Sequence, residues 1–104
     1  MTTQRLPALT ADQLGEAVGR IAGFAALSLH ESFPHLDLDG LVETFTRESA
    51  VSFLTRRYLA GLGDGKTAGE AAGAAGAALI RVWADARLAA RAELDRQTAA
   101  TATA

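Results

Sequence analysis

Two histidines and three carboxylates, His30, Glu31, His35, Asp37 and Asp39, fall within ten positions of this sequence. Imidazole and carboxylate together are the ligand set of zinc, iron or manganese, and the pair that performs acid–base catalysis near neutral pH. Their spacing argues against both uses. Metal ligands carried on a helix recur at i, i+3 or i+4, whereas Pro34 interrupts the chain between the two histidines. Ordinary structural roles suffice instead. His30 is a cation at the end of one helix, and Asp37 or Asp39 caps the start of the next. The candidate catalytic residues are therefore His30, Glu31 and His35. The candidate metal ligands are His30, His35, Asp37 and Asp39, and no cofactor is expected.

A second motif, Ala60-Gly-Leu-Gly-Asp-Gly-Lys66-Thr67, resembles the relaxed phosphate-binding loop of nucleotide hydrolases. That likeness implies backbone amides around a phosphate, Lys66 reaching it and Thr67 on magnesium. The loop needs a strand before it and a parallel sheet around it, and the residues before Ala60 read as helix. Only 37 residues follow Thr67, too few for the remaining strands and a magnesium-binding aspartate. A glycine turn followed by an N-capped helix is the expectation, with free amides at that helix start as a weak anion site. Arg56, Arg57, Arg81, Arg87 and Arg91 scatter around their helices among Asp85, Glu93 and Asp95. They make no phosphate-binding face, and no nucleic-acid partner is expected.

The elements carrying these residues follow from composition. The chain has 104 residues, enough for one domain, and 24 of them are alanine. Only six are valine or isoleucine, a thin supply for a sheet. The formal net charge of −2 implies neither nucleic acid nor an acidic membrane, and the absence of cysteine excludes disulfides and thiolate metal sites. No apolar run approaches the roughly 20 residues of a membrane span, and the start has no signal-peptide pattern. A cytoplasmic all-α protein without a membrane partner is expected.

Three long helices are expected, forming a small antiparallel bundle. Residues 1–9 form a flexible arm, 10–97 a single helical domain, and 98–104 a disordered Thr/Ala tail. Thr10–Gln13 and Thr67–Glu70 are capping boxes that open the first and third helices. In the first, Leu14, Val18, Ile21, Ala22, Ala25 and Leu29 make the inward stripe. Phe24 and Leu27 lie outside it, as if the second half were buried on two sides. In the second, Leu38, Leu41, Val42 and Phe45 face one way, and Val51, Leu54, Tyr58 and Leu62 face another. A kink or break at Thr46–Ser49 is therefore expected. The third carries Ala72, Ala75, Leu79, Val82, Trp83, Ala86, Ala90 and Leu94 along about 45 Å.

Six helical glycines, Gly15, Gly19, Gly23, Gly69, Gly73 and Gly76, each cost roughly 1 kcal/mol relative to alanine. Close approach of helix backbones would account for them, placing the first and third helices together along their glycine edges. With Trp83, Leu88 and Leu94 they form the expected interface set. The function these features fit is a non-enzymatic protein-interaction module: a small homo-oligomeric subunit, adaptor or assembly component. Two other readings remain, a small helical enzyme or ligand/metal sensor using the His30–Asp39 junction, and an immunity- or antitoxin-type protein that masks a partner.

Overall fold

The computed structural model describes residues 9–103, in which four helices and no strand occur. The expected arm falls almost wholly outside the described residues; Leu9 is half-buried against the core. Helix α1 runs Ala11–Ser32, α2 Leu38–Phe45, α3 Glu48–Gly63 and α4 Ala68–Thr103.

The ends of these helices are written in short-range hydrogen bonds. At the start of α1 the Gln13 amide donates to the Thr10 hydroxyl (3.1 Å), and the Thr10 amide donates to the Gln13 side chain (3.0 Å). Asp37, rather than Asp39, caps α2 by accepting from the Gly40 amide at 3.0 Å. The expected break in the second segment falls at Thr46–Arg47. There the Thr46 hydroxyl donates back to the Val42 carbonyl at 2.7 Å, and Arg47 adopts an extended backbone (φ −64°, ψ 152°). The break lets Leu41 and Phe45 from α2, and Ala50, Leu54, Tyr58 and Leu62 from α3, enter one core. Val51 lies at its edge.

Helix α3 closes with paired bonds, Lys66 N–H to Gly61 O (3.0 Å) and Gly65 N–H to Leu62 O (3.1 Å). Gly65 takes φ +88°, the left-handed conformation this closure requires. Thr67 and Glu70 then repeat the reciprocal cap at the start of α4 (3.0 and 3.1 Å).

The core is thin, as the composition requires. Six of its fifteen fully buried residues are alanine, and the largest side chains sealed from solvent are Phe45, Leu54 and Val18. Phe45 meets Trp83 edge-to-face with ring centroids 6.3 Å apart. From α1 the buried set is Val18, Ile21, Ala22, Ala25, Ala26 and Leu29. Phe24 and Leu27 are not covered on a second side: they are 69% and 42% exposed. The helices that pack on α1 cover its Ala22–Ala26 face, and among the described residues the opposite one is left exposed.

Helix α4 passes the expected end at Gln97 and stays helical to Thr103, replacing the expected tail. Alanine is the best helix former, and the Thr98 and Thr101 hydroxyls bond back to the Leu94 and Gln97 carbonyls, each at 2.9 Å. Its burial ends much earlier. Ala71, Ala75 and Leu79 are buried and Trp83 half-buried, while every residue from Asp85 to Ala102 is exposed. The resulting shape is elongated, 72 × 26 × 22 Å, with a radius of gyration of 17.6 Å. A compact domain of this length would have about 13 Å.

Candidate functional site

Of the five candidate residues at the α1–α2 connection, His30 and Asp37 hold it through hydrogen bonds. The His30 ring Nδ1 lies 2.8 Å from the Leu36 carbonyl. A carbonyl only accepts, so Nδ1 carries the proton and ties the end of α1 across the bend. His35 is exposed and sets its ring edge-on to Phe33 at 6.2 Å. Asp37 spends its carboxylate on the Gly40 amide. Glu31 and Asp39 are exposed. Among the described residues no group of three His, Asp or Glu side chains is placed to hold a metal ion.

The Ala60–Thr67 segment differs from a phosphate-binding loop at each point that matters. It follows a helix, and the Thr67 amide, at the start of α4, is taken by the Glu70 carboxylate. The Thr67 amide and hydroxyl hold that carboxyl below its usual range, with a smaller effect of Lys66. A negative charge therefore already occupies the position an anion would need.

Five of the arginines are engaged on their own helix surfaces. Arg20 pairs with Glu16 at 2.6 Å, Arg91 with Asp95 at 3.5 Å, and Arg96 with Glu93. Arg57 lies over the Phe53 ring and Arg87 over the Trp83 ring, at 5.2 and 4.9 Å.

The glycine edges require a correction. A Cβ built on Gly15, Gly19, Gly23, Gly69 or Gly73 would meet nothing within 4 Å, and one on Gly76 only Ile21 Cγ2 at 3.5 Å. These glycines do not bring α1 and α4 into close contact, because the larger Ile21, Tyr58 and Ile80 side chains hold the helices apart beside them. The space left is an open groove of about 620 Å³. Its floor is Ala72, Gly73 and Gly76 of α4, and its α1 wall is Ile21, Phe24 and Ala25. The backbone-close glycine is a different one, Gly61 of α3 against Ala71 of α4.

Two uncovered apolar surfaces thus remain. One is this groove with the exposed Phe24 ring at its edge. The other is the second half of α4, where Leu88 and Leu94 stand 69% and 58% exposed. Leu88 and Leu94 belong to the expected interface set, while Phe24, expected to be covered because it lies off the main stripe, stands exposed. No helix among the described residues is long and apolar enough to cross a membrane. No protein-family model matches the sequence, and neither curated proteins nor solved structures give a significant match.

Proposed function

We propose that this protein is a non-enzymatic interaction module, a small cytoplasmic homo-oligomeric subunit whose working surface is its last helix. The observation that carries the reading is the mismatch along α4: its first half completes the core, and its second half is exposed at every residue from Asp85 to Ala102. Most helical stability in proteins comes from packing of one face, and a partner that covers this half would supply it. The short connections at 33–37 and 64–67 belong to the same reading, in which neighbouring helices of the bundle run antiparallel.

Light scattering of the purified protein at hundreds of micromolar tests the proposal. A mass of twice the chain or more is expected, with no stoichiometric metal. A strict monomer would overturn it. The groove gives one observation in favour of the second reading, a ligand sensor, because its volume lies within the range of small-molecule sites. A rise in melting temperature with small apolar ligands, absent in Gly73→Leu, would favour that reading.

A further inference from the structure

Resting on the homo-oligomer reading, we infer that the free half of α4 pairs antiparallel with the same segment of a second copy, about a twofold axis near Leu94. The argument begins with register. Along α4 the inward positions Ala72, Ala75 and Leu79 are spaced three and four apart. The same spacing continues through Trp83, Ala86 and Ala90, and again through Leu94, Gln97 and Thr101. Eleven residues over three turns is about 3.67 per turn, close enough to the 3.6 of a straight helix to keep one face in one direction. The face that α1–α3 cover as far as Trp83 therefore continues uncovered to the end of α4.

Sterics choose the direction of the partner. A copy of α4 laid parallel along the free half would put its own bundle where α1–α3 already stand. Laid antiparallel, it brings only its free half, and its bundle falls beyond the end of the first α4. The last described turn of each α4 then lies near the other copy's bundle.

Charge fixes the alignment. With Leu94 facing the second copy's Leu94, Ala90 comes level with Thr98 and packs beside Gln97, and Ala86 comes level with Ala102 and packs beside Thr101. On one flank Arg91, about 60° round the helix from Leu94, comes within a turn of the second copy's Asp95, about 100° round on the same side. These two residues already pair within each helix, so this flank becomes a four-charge network of alternating sign. From Asp85 onward the segment holds three acidic and three arginine side chains, so its net charge is zero. A segment without net charge, complementary to its own reversed copy, points to a second copy of this chain rather than to a charged foreign partner. Alanine along the seam permits helix axes about 8 Å apart, the short end of the usual range. The overlap is about 27 Å long. It therefore belongs with small interfaces, under about 1,200 Å², and a dissociation constant in the micromolar range is expected.

The chain has no cysteine, which makes disulfide trapping clean. Leu94→Cys at 100 µM under mild oxidation should give a covalent dimer as its main product. Leu88→Cys, about 120° round the helix, should give at least tenfold less. Leu94→Glu should raise the dissociation constant at least tenfold with helical content retained, and Leu88→Glu should leave it within twofold. Equal trapping at positions 94 and 88, or none at 94 in a wild type that is dimeric, would overturn this pairing while leaving the homo-oligomer reading intact. A monomeric wild type would remove both.

Discussion

A Cβ placed on Gly61 would stand 2.9 Å from the Cβ of Ala71 and 3.2 Å from its Cα, closer than carbon atoms ordinarily approach. This contact lies between α3 and α4, just before the turn that joins them. Both residues are fully buried. Neither partner is the flexible end of a long side chain, so adding a methyl group means moving a helix.

Gly61→Ala should therefore destabilise the fold despite alanine's better helix propensity. Forcing the helices apart costs about 1–3 kcal/mol, against a propensity gain of up to about 1 kcal/mol. Gly15→Ala and Gly19→Ala, on exposed turns with open space around them, should instead stabilise by up to about 1 kcal/mol each. Urea unfolding of the three variants checks both directions at once. The Gly61→Ala, Ala71→Gly double variant should recover much of the loss, since the coupling lies between those two residues.

Phe45 should be the most costly side chain to truncate. It is 1% exposed, anchors the end of α2 just before the chain turns at Thr46, and meets the Trp83 ring edge-to-face. Phe45→Ala is expected to cost about 3–5 kcal/mol and to shift Trp83 fluorescence to longer wavelength as water reaches the indole. An unchanged emission maximum in the folded variant would show that Phe45 does not shield Trp83.

Glu70 makes part of the stability pH-dependent. Its folded pKa lies below the ordinary carboxyl value because the Thr67 amide and hydroxyl bond the ionised form. A depressed carboxyl pKa contributes stability that is present above the unfolded value and is lost as pH falls through the folded value. Wild type should thus be more stable than Glu70→Gln at neutral pH, with the difference shrinking as pH falls through the carboxyl range. A difference independent of pH would place the effect elsewhere than in the charged cap.

How much of this was readable beforehand depends on whether the determining interaction is local. Both capping boxes, the break at Thr46–Arg47 and the turn at Gly65 depend on residues within a few positions of each other, and the sequence carried each of them plainly. The glycine edges were misread because glycine spacing marks a smooth helix face without saying whether a neighbour occupies it. That depends on Ile21, Tyr58 and Ile80, which come from three helices. Phe24 was assigned cover for the same reason: a ring off the main stripe needs a partner, but periodicity does not say that the partner lies in this chain. At the His30–Asp39 junction the Asp37 cap is legible from its place before the helix, whereas the His30–Leu36 bond depends on the shape of the bend and has no sequence signature.

The last prediction concerns protection along α4. Amides near Ala71, Ala75 and Leu79 belong to buried turns of the helix, and their opening requires separation from α1 and α3. Amides from about Ala90 onward lie on turns with no buried side chain, where helix propensity, local side-chain hydrogen bonds and exposed ion pairs worth a few tenths of a kcal/mol each contribute. In dilute protein these turns should fray, so hydrogen exchange should be orders of magnitude faster there than at positions 71–79. Raising the concentration to hundreds of micromolar should slow exchange in residues 86–101 and leave 71–79 unchanged, because only the free half gains a covering surface. Protection uniform along α4 at low micromolar concentration would mean that the second half is stable alone. Protection that stays low at every concentration would mean that no second copy covers it.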